Sequence, residues 1–559
     1  MKNIFFKTIA AAIVGIGLTG CVNDLDISSI DPQSSSSYEE EQLFAKCYGV
    51  LGLTGQRGGA GNGDLSDDEG ESGFYRTTFN LQELPTDELM WAWQTDQDIP
   101  QITMIGWSSS SIRVLWAYTR LMYDITLFNK YLQEVPDNEE YSQKRAEIRF
   151  LRALHYWYLL DLFGKVPFKT DFDINQLPVE YSGAEAYDWI DKELTEIEPQ
   201  MAEVGAFCND QYFGRADRGA AYMLHARLAL NSKVYTKGAV EDYQKAIDYC
   251  DQLINSGAYD LSRLAKNGNS GYAQLFMADN DVNTEARQEI IFPIRQDGLH
   301  TRQYGGSLML IAGARSAAMP NYGMKESWTC LFARNAMISK FFENQDAIPL
   351  AEEAAPNDAT SDEVVALDEQ YGTTIQDLLD LAGDDRALFY SGCANGVRKL
   401  KTDKVSAFTD GLSVVKWTNL KSDNTAGQNV SWPDTDIPLF RLAEAYLTRA
   451  EAKYRLSGNP NDARADIQEL HNRANADAVP ANIDEMYILD EWCREFFMEG
   501  RRRSDLVRFD CFTGNKYVWD WKGGAENGIS VDPHFNVYPI PAQHTLEAGN
   551  GNLTQNDGY

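Results

Sequence analysis

The stretch RAEIRFLRALHYWYLLDLF, residues 145–163, decides the fold class of this chain. Ile148, Leu151, Ala153, Leu154, Tyr158 and Leu162 recur at three- and four-residue steps, which places them on one face of an α-helix. Gly164 supplies a stop, and Pro167 lacks the N–H needed to continue. The pattern predicts a helix over 141–163. The same periodicity predicts helices over 112–135, 220–235, 243–256 (with Gly257 at the stop), 438–456, 462–475 and 483–499.

These segments come in pairs. Ala221, Ala226 and Leu230 precede Tyr243, Ala246, Tyr249 and Ile254. Small residues on the first helix let the second approach closely, the packing logic of tetratricopeptide hairpins, although the closing proline of that repeat is absent. Such hairpins stack side by side. The expected fold is therefore mainly α, a tetratricopeptide-like scaffold of helical hairpins over about 111–256 and 437–500. Residues 260–435 are rich in Gly, Asn and Asp with short apolar runs, and read as long loops with few short strands.

Upstream of the helices, Lys2 and Lys7 precede an apolar run, Ile9 to Leu18, and then Leu18-Thr19-Gly20-Cys21. The run is too short to span a bilayer, so residues 1–20 read as a secretory signal. The cysteine at the cut site marks a bacterial lipoprotein with Cys21 acylated, the alternative being an ordinary signal cut elsewhere. Each buried acyl carbon contributes roughly 0.8 kcal/mol, enough over two or three chains for firm anchoring. Residues 21–38 are polar and serine-rich, as in a lipidated flexible tether, and residues 39–559 form the main domain.

The 559 residues carry a formal net charge of −33. That field repels nucleic acid and favours neutral ligands or cations such as calcium. No basic patch with interleaved aromatics is present, so nucleic acid is not an expected partner. The eight cysteines show neither close pairs nor zinc-type spacing. The six histidines form no metal motif, and the Gly-rich segment 55–73 lacks the ending of a phosphate loop, so no organic cofactor is expected. Neither catalytic elbow nor distinguished carboxylate pair stands out among the 83 acids.

Several residues draw attention on their own chemistry. In Trp91-Ala92-Trp93 an extended backbone puts both rings on one face, as a sugar platform needs, whereas a helix would separate them; two core tryptophans are the alternative. Arg76 offers a planar fork for adjacent hydroxyls, or else an ion pair with Asp68 or Glu71. Asp434 and Asp436, with Asp281 in another acidic loop, suit calcium or are solvated carboxylates. Arg501, Arg502 and Arg503 follow Gly500, which reads as a helix stop, and Asp505, Asp510, Glu495 and Glu499 are available to neutralise them in a structural ion network.

Three segments, 146–167 (AEIRFLRALHYWYLLDLFGKVP), 437–452 (IPLFRLAEAYLTRAEA) and 494–509 (REFFMEGRRRSDLVRF), together with the ending VYPIPAQHTLEAGNGNLTQNDGY, resemble the SusD/RagB family, the surface glycan-binding lipoproteins of Bacteroidetes outer membranes. The resemblance implies a binding protein, not an enzyme, lipid-anchored at the cell surface and acting as a lid on a TonB-dependent, SusC-like transporter. Residues 64–96 are similar to the starch-binding branch that gives the family its name. There an aromatic arc and a few polar groups hold α-1,4-glucan, so starch or malto-oligosaccharide is the implied ligand. Matched by position, Trp91, Trp93, Tyr304 and Trp328 fall on the arc, while Arg76, Asp68 and Asp96 fall on polar contacts. Asp96 departs from the amide expected there, since a carboxylate only accepts hydrogen bonds. A structural calcium at Asp281, Asp434 and Asp436 is implied as well. A binder of another glycan or a peptide, or a glycoside hydrolase, are the alternative readings.

Overall fold

The computed structural model describes residues 39–55, 63–66, 70–173, 175–316, 319–350, 360–371, 374–392, 398–547 and 552–559. It divides into a unit over residues 1–46, of which 39–46 are described and begin the helix Glu40–Gly52, and a unit over 47–559 that carries everything below.

In the second unit the main helices are α1 (Phe74–Glu83), α2 (Ile112–Glu134), α3 (Ser142–Phe163), α4 (Gly183–Ile197), α5 (Arg218–Leu230), α6 (Tyr243–Asn255), α7 (Ser307–Ala314), α8 (Leu442–Ser457), α9 (Arg464–Arg473), α10 (Glu485–Phe496) and α11 (Arg502–Arg508). Among the described residues, eight short strands pair two by two: β1 (Leu89–Trp91) with β5 (Leu331–Ala333), β2 (Lys165–Phe168) with β3 (Val179–Ser182), β4 (Ile290–Ile294) with β8 (Ile437–Arg441), and β6 (Phe389–Tyr390) with β7 (Ser413–Val414).

The helix expected over 141–163 is α3, closed by Gly164 in a left-handed turn (φ 69°) whose N–H bonds the Leu160 carbonyl. Its apolar face is wholly buried, with Ile148, Leu151, Leu154 and Leu162 at 0% exposure. Each such side chain contributes about 1.5–3 kcal/mol on burial. Successive helices pack on one another from α2 through α6, and α6 then packs on α8. Ala220, Ala221 and Ala226 on α5 are fully buried, which leaves room for Tyr243 and Ala246 of α6.

That last packing step carries the functional argument. Helices α6 and α8 are direct neighbours although nearly two hundred residues separate them, so 260–435 is an excursion that leaves the helical stack and returns to it. The antiparallel β4–β8 pair closes its base, with Ile294 opposite Ile437 and Ile290 opposite Arg441.

The structure corrects the sequence reading at several points. The segment expected as helix from 438 begins as strand β8, because Pro438 lies opposite Pro293 in the pair with β4 and the helix starts only at Leu442. Asn231 interrupts the expected 220–235 helix, leaving Ser232–Tyr235 as a separate turn. Gly500 (φ 80°) does not stop a helix: α10 ends at Phe496, and the N–H groups of Gly500 and Arg501 both donate to Glu83 Oε1. The excursion also contains helices, α7 among them. The arginine run does form an ion network, but with partners mostly from afar: Arg501 with Asp505 and Glu444, Arg502 with Asp87 at 2.7 Å.

Candidate functional site

Four half-buried rings of the second unit follow one another in a line. Trp93 and Trp328 have centroids 6.3 Å apart, tilted by 35°. Trp328 and Tyr304 follow at 6.0 Å and 45°, then Tyr304 and Trp432 at 5.1 Å and 52°. These residues come from four separate parts of the sequence, and local structure explains how they meet.

The first pair follows from strand register. β1 and β5 run antiparallel with Trp91 opposite Leu331, and the Ala92 N–H donates to the Cys330 carbonyl at 2.7 Å. One step beyond the pairing, Trp93 leaves β1 where Trp328 approaches β5. The Trp328 N–H bonds the Ala312 carbonyl at the end of α7, which sets the indole's backbone. Tyr304 precedes α7 and is fixed from the other side. A Cβ on Gly70 (φ 121°) would stand 2.7 Å from the Tyr304 nitrogen, so only glycine allows this backbone approach.

Arg76, on α1, ties these parts from beneath. Its Nη1 donates to the Tyr304 carbonyl at 3.0 Å and its Nη2 meets Glu71 at 2.5 Å. Glu71 also holds Arg113 at 2.7 Å. The guanidinium lies 5.8 Å from the Trp328 ring centroid and 5.9 Å from that of Trp91, within reach of a cation–π attraction to each. The ion pair with Glu71 is thus realised. Arg76 is 5% exposed, and in this arrangement it supports the rings more than it faces outward.

Trp91 requires a correction. It is 0% exposed, sits edge-on to Trp93 at 76° with centroids 6.1 Å apart, and donates its indole N–H to Asp96 Oδ2 at 3.2 Å. The expectation that both tryptophans stack on a ligand therefore narrows to Trp93. The chain bends after β1, so the two rings do not share a face, and Trp91 becomes the wall behind Trp93.

Asp96 is half-buried, and burial raises its pKa above the ordinary carboxylate value. Its visible task, accepting from Trp91, needs an oxygen but no charge. Asp96→Asn is therefore expected to keep the fold at full stability. Asp96→Ala leaves a buried indole N–H unpaired and should cost about 1–3 kcal/mol, read by urea denaturation. Equal loss in both variants would show that the charge itself is needed.

Asp68 and Cys21 lie outside the described residues. Trp432 is the ring that sequence reading missed. A tryptophan in Ser431-Trp432-Pro433, just before Asp434, was the available signal.

The three acidic residues expected around calcium are arranged unequally. Arg295 reaches Asp281 Oδ2 with Nη2 at 2.9 Å and Asp436 Oδ2 with Nε at 3.2 Å. Asp436 is fully buried, its Oδ2 accepts no hydrogen bond, and burial pushes its pKa up to about 8. Asp434 instead accepts from backbone and amide donors: Gly298 N at 2.8 Å, Gln428 N at 2.5 Å and Gln428 Nε2 at 3.1 Å. Among the described residues no three acidic, histidine or cysteine side chains converge as a metal site. The residues as they stand hold the Arg295 guanidinium between the Asp281 and Asp436 carboxylates.

The SusD family profile matches residues 288–559. The chain is 53% identical over 570 aligned positions to the starch-binding protein SusD of Bacteroides thetaiotaomicron, covering all of both chains. SusD-like protein P25 of Formosa agariphila is 23% identical over 438 positions, 76% of this chain and 75% of that one. A SusD-like protein from Bacteroides fragilis superposes with a TM-score of 0.65 at 18% identity, covering 95% of this chain and 100% of the other. Surface glycan-binding protein A from Bacteroides thetaiotaomicron, solved with laminarihexaose, does so at 0.60 and 18%, covering 92% and 98%. The two superpositions establish a shared mainly helical fold, and the full-length match at more than half identity establishes the lineage: this chain belongs to the SusD family.

Proposed function

We propose that the protein captures α-1,4-glucan, as starch or malto-oligosaccharide, on the ring platform and delivers it to a TonB-dependent, SusC-like transporter. The observation that carries the reading is the tilt between neighbouring rings, 35° from Trp93 to Trp328 and 45° from Trp328 to Tyr304. A sugar stacks its C–H face on a ring at about 0.5–1.5 kcal/mol beyond area. Rings turned relative to each other meet successive sugars of a bent chain. A flat β-1,4 chain meets one ring and misses the next. The starch-binding name of a full-length relative at 53% identity supports the same choice. A structural neighbour of the same fold was solved with laminarihexaose, so the fold by itself does not name the sugar and the reading rests on the rings. The acidic field of the chain disfavours anionic glycans and leaves neutral ones.

The test is migration of the mature protein through native gels cast with soluble starch or with a β-1,4-glucan. Retardation in starch alone is expected. Equal retardation in both, or in neither, contradicts shape selection.

Cell-surface location and anchoring through Cys21 belong to the same reading, supported by the signal ending in Leu18-Thr19-Gly20-Cys21. Among the described residues no helix is long and apolar enough to cross a membrane. Cys21→Ser is expected to shift the protein from the membrane fraction to the soluble fraction, and an unchanged membrane fraction would sink the lipid anchor.

A structural calcium is proposed on narrower ground, the hydrogen-bond-free Oδ2 of buried Asp436 facing the Asp281–Arg295 pair. Hard oxygen ligands suit that ion, which would have to displace the Arg295 guanidinium. Adding calcium to chelator-treated protein should raise Tm, and Asp436→Asn should abolish the rise. No calcium-dependent change in Tm rules the ion out.

A further inference from the structure

Trp432 stands at the end of the ring line and is held in an unusual way. It is half-buried, yet its loop is pinned on every side. Asn429 Oδ1 accepts the N–H groups of Ser431 at 2.8 Å and Trp432 at 3.2 Å. Asp434 accepts from Gln428 within the same loop and from Gly298 N in the loop that leads to Tyr304. A Cβ on Gly298 would stand 2.5 Å from the Trp432 carbonyl oxygen, so the two loops touch backbone to backbone. Asn419 closes the arrangement, accepting the Asp434 N–H at 2.9 Å and donating to the Asn429 and Gly323 carbonyls. Leu299 and Val430, on the same two loops, leave 43% and 39% of their surface exposed.

An indole whose backbone is fixed and whose ring keeps part of its surface in solvent has lost its freedom before any ligand arrives, which favours binding over packing as its use. Its tilt of 52° to Tyr304 continues the series along the line. We infer that Trp432 forms an additional sugar subsite, taking one more pyranose ring of an α-glucan long enough to pass Tyr304. The inference rests on the α-glucan reading above and sharpens it, because it makes Trp432 a determinant of preferred chain length. It also gives Asp434 a task other than metal binding: its carboxylate keeps the loops of Tyr304 and Trp432 in register.

The test is calorimetric titration of the mature wild type, Trp432→Ala, Trp432→Phe and Trp93→Ala with maltotriose and maltoheptaose. Trp432→Ala should weaken maltoheptaose about 3- to 10-fold and leave maltotriose within twofold, and Trp432→Phe should recover most of the loss. Equal weakening of both sugars would show that Trp432 only buttresses Tyr304 and would overturn the inference. No weakening of either, with Trp93→Ala still losing both, would overturn it while leaving the α-glucan reading in place. Absence of binding by the wild type would overturn both.

Discussion

Trp93→Ala is expected to lower affinity for maltoheptaose at least 30-fold, about 2 kcal/mol, while leaving the fold intact. Two effects combine. The ring's own stacking face is lost, and Trp328, its neighbour at 6.3 Å, loses one side of its support. The half-buried position of Trp93 keeps the stability cost below that of a core ring. Trp91→Ala makes the contrast, since that ring is wholly buried. Removing a buried Trp costs about 3–5 kcal/mol of stability, so Trp91→Ala should unfold at much lower denaturant whatever its effect on sugar. The measurements are calorimetry for affinity and urea denaturation for stability. Near-wild-type affinity in Trp93→Ala would remove the platform from the account.

Glu495→Ala is expected to cost about 3–5 kcal/mol of stability or to give no soluble protein. Glu495 is fully buried and accepts from Arg441 at 2.6 Å, from Arg386 at 3.1 Å and from Arg473. Burial alone would raise its pKa, but the guanidinium groups of Arg473, Arg441 and Arg386 outweigh it and hold the carboxyl well below its ordinary range. Removing one anion leaves three buried cations, of which Arg441 and Arg473 keep Glu289 and Arg386 keeps Asp384 and Glu491. The sign of the pH dependence follows. A carboxyl with a folded pKa below its unfolded value stabilises the fold above about pH 4.3 and loses that contribution as pH falls toward the folded pKa. The wild type should therefore lose stability on acidification faster than Glu495→Gln. Denaturation curves between neutral and acid pH check this, and parallel slopes would contradict it.

The parts of this molecule that sequence exposes are those with local rules. Helix α3 was legible because its apolar face repeats at helical spacing and its end carries Gly164. The hairpin of α5 and α6 was legible from small residues facing large ones. Helix α7, SLMLIAGA, was not, because it is buried all round and so shows no periodicity. Helix α4 had a readable signal that was missed, the capping box of Ser182 and Glu185. Strand β8 was masked by the helix that directly follows it.

The site obeys no local rule. Its rings meet through the β1–β5 register and through loop contacts such as Gly70 against Tyr304, neither visible in the residues themselves. Trp93, Tyr304 and Trp328 were reachable by resemblance to the family, whereas Trp432 came from geometry alone. Resemblance also overstated Trp91, since matching a position does not reveal which way a ring faces. The buried ion network shows the same limit: Glu289, Arg441, Arg473 and Glu495 belong to separate elements, and only the fold brings them together.

The central claim is that a curved line of aromatic rings selects bent α-1,4-glucan by shape. Calorimetric titration of the wild-type mature domain with maltoheptaose, against cellohexaose as the flat counterpart, tests it most directly. Saturable heat with maltoheptaose and none with cellohexaose is the predicted result. Binding of cellohexaose with comparable affinity, or no heat from maltoheptaose, would contradict it.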